Sequence, residues 1–196
     1  HPGMLDYLDN PSSVGENSKE AKWLRKDGKI AGLNDNLARE LLELHTVSPA
    51  RKYSETDIRN TAKILAGWGF GVPNFVEDYN REKKNGHLSN NITFEKFVLA
   101  PYVKIRAEPG KKVVMGKTFP SGPKALRKLT NMLADDDFTA QYLSKKLAIH
   151  FIGEKASKEE VKVIYDTWKK SKGDLAEVHK ATLKVAKATK IKKFLW

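Results

Sequence analysis

The sequence contains no cysteine. That excludes disulfides, thiolate metal ligands and a cysteine nucleophile, but it assigns no compartment. It has no run of about 18 apolar residues, so no segment reads as a membrane-spanning helix. Arginine is scarce: 7 of the 36 cationic residues, against 29 lysines. Arginine makes bidentate contacts to phosphates and bases, whereas lysine is a hydrated point charge. The net charge of +12 therefore reads first as a solvated lysine surface. Attraction to nucleic acid or anionic lipid is the alternative, although no nucleic-acid module is recognisable. A nucleophile elbow and an H-E-x-x-H metal motif are both missing. Gly116-Lys117-Thr118 has the tail of a phosphate loop, but Lys111 stands where the first glycine is needed.

What is present supports a folded core. The chain has 196 residues, 40% of them apolar, with four Trp, eight Phe and six Tyr. This length suits one domain. Met4, Leu5 and Leu8 suggest a short helix or turn that Asn10-Pro11 stops. Residues 14–31 and 77–92 are polar and read as loops. Ser54-Glu55-Thr56-Asp57 is a capping-box start, followed by Ile58, Ala62, Leu65 and Trp68 at helical spacing and broken by Gly67. Residues 93–119 read as a small β-hairpin, with Pro109-Gly110 at the centre of a type II turn. Four helices follow, opened near Pro123, Asp136, Ser157 and Gly173-Asp174; Ser157 to Glu160 is a second capping box. The expectation is a mainly α, single helical domain over 1–196 with a small β-hairpin.

Gly32 to Thr46 is the most periodic stretch. On a 100° wheel Leu37, Ala38, Leu41, Leu42, Leu44 and His45 share one arc. Arg39, Glu40 and Glu43 take the other side, with Arg39 and Glu43 spaced to pair. A core-facing His45 has two readings: a structural hydrogen bond, or a metal ligand or proton carrier. Glu40 and Glu43 are candidate acid–base carboxylates beside it, against a plainer role in surface ion pairs. His87, His150 and His179 read as structural or exposed.

Several segments together carry a family resemblance. They are His1-Pro2-Gly3-Met4-Leu5-Asp6-Tyr7-Leu8-Asp9-Asn10, Gly32-Leu33-Asn34 through Thr46, Tyr53 to Asp57 with Leu65-Ala66-Gly67-Trp68, Pro109 to Lys112 with Met115-Gly116-Lys117, and the later helices. In this order they resemble the bacterial domain-of-unknown-function family 1800 over nearly the whole chain. The motif residues are His1, Asn34, Arg39, Glu40, Glu43, His45 and Trp68. The resemblance does not extend to the family's N-terminal half, so the chain is expected to be the C-terminal part of a larger protein. At one place it departs from the pattern: Ala107-Glu108 stands where the family shows His-Asp before the Gly-Lys turn. The family implies a bacterial, exported or envelope setting and a phosphatase-like neighbour.

Three functions are expected to compete. One is an envelope-associated binding or hydrolase-partner protein. The second is a metal-dependent hydrolase, with a divalent metal held by His1, His45 and a histidine of the missing half. The third is a basic nucleic-acid-associated protein.

Overall fold

Hydroxyl and carboxyl side chains placed just ahead of apolar stripes start most of the helices. The computed structural model describes residues 2–69, 80–81, 83–86 and 102–188. Among them are eight α-helices and one two-stranded antiparallel sheet, which is the mainly α class expected. Contacts gather the chain into two compact units. Unit 1 is His1–Glu40 with Tyr53–Arg127, and unit 2 is Leu41–Lys52 with Lys128–Trp196.

Unit 1 begins with α1 (Pro2–Tyr7), a 3-10 turn at Asn10–Ser12 and α2 (Lys19–Lys26). Ser18 Oγ accepts from Ala21 N at 3.1 Å and caps α2. This helix lies inside the 14–31 segment expected to be a loop. The residues it buries fully are Glu20 and Ala21, with Trp23 and Leu24 half-buried beside them, so its inward side is part charged and part apolar. α3 (Asn36–Glu43) starts where Asn34 Oδ1 accepts from Asn36 N at 2.9 Å. α4 (Glu55–Leu65) carries the expected capping box between Ser54 and Asp57.

The hairpin is shorter than expected. Its strands are β1 (Lys112–Val114) and β2 (Lys117–Phe119), paired Lys112 to Phe119 and Val114 to Lys117. The connecting residues Met115 and Gly116 have φ of 46° and 76°, the two positive values of a type I′ turn. Gly110 does adopt a positive φ of 78°, but its bend delivers the chain into β1 rather than closing the hairpin. Residues 93–101 and most of 77–92 lie outside the described residues.

Unit 2 is built on α5 (Lys124–Asp135, its first turn in unit 1), α6 (Asp137–Phe151), α7 (Lys158–Ser171) and α8 (Leu175–Ala188). Asp136 caps α6, accepting from Phe138 N at 2.9 Å. Ser157 and Glu160 form the expected box on α7. Asp174 Oδ1 accepts from Ala176 N at 2.9 Å ahead of α8. Ala140, Ala148, Ile152, Ile164, Trp168 and Val178 form one buried cluster. α7 ends in a left-handed turn: Lys172 has φ of 55°, and Gly173 N donates to Trp168 O at 2.9 Å, a Schellman-type closure.

Candidate binding site

The leucine-rich helix stops sooner than its pattern. α3 ends at Glu43, and its free carbonyls are taken up locally, as helix ends require. Thr46 Oγ1 donates to Leu41 O at 2.6 Å and Ser48 N donates to Leu42 O at 2.9 Å; past the helix end, Lys146 Nζ donates to Leu44 O at 3.1 Å. Leu44 and His45 lie beyond the helix and are exposed, while Leu42 and Val47 are fully buried. The core-facing His45 is thus corrected. A wheel drawn through Thr46 applies helical geometry to residues that have left the helix. The His45 ring makes no hydrogen bond or ion pair to a described residue.

His45 instead lines a cleft of about 290 Å³ within unit 2. Its walls are apolar: Leu41 from the tail of α3, Leu133 from α5, Leu143 from α6, Trp168 from α7 and Leu175 from α8. His45, Thr130, Thr139 and Lys172 add polar groups. No carboxylate is among the cleft's described lining residues. The Thr139 hydroxyl is buried and has no partner among the described residues. A second depression of about 200 Å³ shares Ala134, Trp168 and Lys172 and adds Asp135, Asp136 and Lys169. Two of its charges are engaged, Asp136 with Arg51 at 3.0 Å and Lys169 with Asp137 at 2.9 Å. The hydrogen bond from Lys169, aided by Tyr165, holds the Asp137 carboxyl below its ordinary pKa. Neither Trp168 nor Lys172 is among the site residues the sequence points to; the available signal is the Lys172-Gly173 pair, since glycine marks a helix end.

The other predicted site residues are placed elsewhere. Arg39 does not pair with Glu43. Its guanidinium donates to Glu55 at 3.0 Å and to Asp35 at 3.2 Å, and the Glu55 bond above all raises its pKa. Neither Glu40 nor Glu43 makes a side-chain hydrogen bond to a described residue, and neither lines the cleft. Asn34 caps α3 and exchanges hydrogen bonds with Ser13 Oγ at 3.1 and 3.3 Å. Trp68 pairs with Tyr102 through an antiparallel bridge, the rings 5.2 Å apart edge to face. Asn34, Arg39 and Trp68 therefore serve the architecture of unit 1. His1 lies outside the described residues. Among the described residues no three His, Asp or Glu side chains gather as a metal site would require.

Unit 1 also holds a knot of buried charge. Arg106 Nε donates to Glu20 Oε2 at 2.8 Å, and Arg106 Nη1 donates to Pro11 O at 2.7 Å. Glu108 accepts from the Asn17 backbone at 2.8 Å and from Asn17 Nδ2 at 2.7 Å. Gly15 lies so close that a Cβ there would sit 2.6 Å from Glu108 N. The Lys112 ammonium donates to the carbonyls of Glu108 and Gly110, and burial lowers its pKa against the opposing pull of Glu108.

Residues 1–194 match the family described as Protein of unknown function (DUF1800). The chain belongs to the DUF1800 family. No curated protein and no solved structure matches it. In this DUF1800 member the Ala107-Glu108 departure has a structural reading, because the Glu108 carboxylate fastens the Asn17 loop. Among the described residues no helix is long and apolar enough to cross a membrane. The family description names no reaction, so function is argued from the cleft.

Proposed function

We propose that unit 2 is a ligand-binding module, with the cleft beside His45 as its site and a small, mainly apolar molecule as its ligand. The observation that carries this reading is an apolar cleft of about 290 Å³ bordered by the side chains of His45 and Lys172, neither of which makes a hydrogen bond or ion pair to a described residue. That volume sits at the lower end of the range for ligand pockets, about 300–1,000 Å³, whose usual form is apolar walls with a few fixed polar groups. Leu175, on the cleft wall, is 55% exposed, an apolar surface that an occupant would cover. The metal-hydrolase reading gains no support from the described residues. The nucleic-acid reading gains none from Lys162, Lys169 and Lys180, each of which faces a carboxylate at 2.5 to 2.9 Å. An envelope setting and a hydrolase partner rest on the family resemblance.

The test is a titration of the 196-residue chain with 1-octanol and with octanoate, each below its aggregation limit. The indole N–H signal of Trp168, assigned with Trp168→Phe, reports occupancy. A saturable shift, weakened by Leu175→Asp, is the expected outcome. If neither probe shifts that signal up to millimolar concentration, the reading fails.

A further inference from the structure

Resting on that reading, we infer that the ligand of the cleft is an amphipathic monoanion, a short apolar body ending in a carboxylate held between His45 and Lys172. The cations around it fall into two groups. Arg51, Lys146 and Lys169 are engaged with Asp136, the Leu44 carbonyl and Asp137 at 3.0, 3.1 and 2.9 Å. Lys172 and His45 are exposed, line the cleft, and have side chains without a hydrogen bond or ion pair to a described residue. They border a cleft with no carboxylate among its described lining residues. An ammonium head would meet two cationic or potentially cationic groups there with no counter-charge, whereas a carboxylate meets two hydrogen-bond donors when the imidazole is protonated or suitably tautomeric.

Lys172 is also held in place. Its backbone sits in the left-handed region at φ 55°, its N–H donates to Lys169 O at 3.3 Å, and the following Gly173 N–H donates to Trp168 O at 2.9 Å. A non-glycine residue in that conformation is uncommon, and here the turn fixes the root of the ammonium arm at the edge of the indole wall. The cleft's basic side chains, His45 and Lys172, and its apolar walls, Leu133 and Leu143 among them, set the direction of the ligand: the carboxylate lies toward His45 and Lys172, and the apolar body lies along Leu133 and Leu143.

The experiment compares octanoate, 1-octanol and octylammonium on the whole chain, read at the Trp168 indole signal. Octanoate is expected to bind about tenfold tighter than the alcohol, and octylammonium weakest, in keeping with two charge-assisted contacts at an exposed rim. His45→Gln and Lys172→Asn should each weaken octanoate about threefold to fivefold and weaken the alcohol less than the acid. Asparagine tolerates the left-handed backbone, so the second variant keeps the turn. If the alcohol binds as tightly as the acid, or the ammonium binds best, the carboxylate inference is overturned while the binding reading stands. If neither the acid nor the alcohol shifts the signal, both fall.

Discussion

Among the described residues, unit 1 buries charge and unit 2 does not. Glu20, Arg106, Glu108 and Lys112 are each under 9% exposed in unit 1, whereas the buried polar residues of unit 2 are Ser48, Thr139, Ser144 and Thr182. Orphaned polar atoms do not separate the units: Thr61 and Trp68 in one, Thr139 and Ser144 in the other, lack partners among the described residues. The difference lies in what holds the chain. In unit 1, ion pairs and carboxylate hydrogen bonds fasten segments far apart in sequence: Arg106 to Glu20 and to the Pro11 carbonyl, and Glu108 to Asn17. Unit 2 relies on three capped helices, α6 to α8, around an apolar cluster. The side chains of His45 and Lys172 on its cleft make no hydrogen bond or ion pair to a described residue.

The largest effect expected on this contrast is at Arg106. Its side chain is 10% exposed and that of Glu20 6%, so Arg106→Ala leaves a carboxylate buried without its partner. Breaking such a pair costs about 3–5 kcal/mol, to be measured by urea denaturation. The double variant Glu20→Met with Arg106→Met should recover most of that loss, since well-packed apolar replacements are often neutral. A loss under about 1 kcal/mol for the single variant would break the contrast. In unit 2 the matching change is Ile164→Ala at a position with no exposure. A cavity of that kind costs about 2–4 kcal/mol, and the melt of unit 2 should carry it.

The smallest effect is in pH. The Asp137 carboxyl has its pKa lowered chiefly by the hydrogen bond from Lys169, with Tyr165 and Gln141 adding to it. A depressed carboxylate pKa means that the folded state binds the proton less readily than the unfolded one. The resulting stability is present above the ordinary aspartate value, about 3.9, and is lost as pH falls through the lower folded value. Asp137→Asn should therefore flatten the acid limb of unit 2 unfolding. The difference between wild type and variant should shrink below about pH 4. An identical acid limb in both would show that this half-exposed pair contributes nothing.

The helices of unit 2 were legible because their signals are local. Ser157 with Glu160, Asp136, and apolar residues three and four apart each act within one turn. α2 was not legible, because Glu20 faces inward only by virtue of Arg106, 86 residues away. The hairpin turn was misplaced for a related reason. Pro109-Gly110 is the stronger turn dipeptide, and Met115 gives no hint that it adopts a positive φ. His45 was misread because the wheel ran two residues past Glu43. The cleft could not be read at all, since its walls come from five separated elements; only its residue types were on view.

Asp57 has a consequence for how the chain can change. One of its carboxylate oxygens accepts from Ser54 N at 2.8 Å and from Ser54 Oγ at 2.7 Å, and the other accepts from Met115 N at 2.6 Å. A single short side chain thus clasps the start of α4 and the tip of the hairpin. Exposed loop tips are ordinarily where insertions are tolerated. Here an added residue at Met115-Gly116 would pull the turn amide off Asp57 and loosen the first turn of a helix 58 residues earlier. Length variation in this part of the chain should therefore avoid the hairpin tip and accumulate in connections that no side chain clasps.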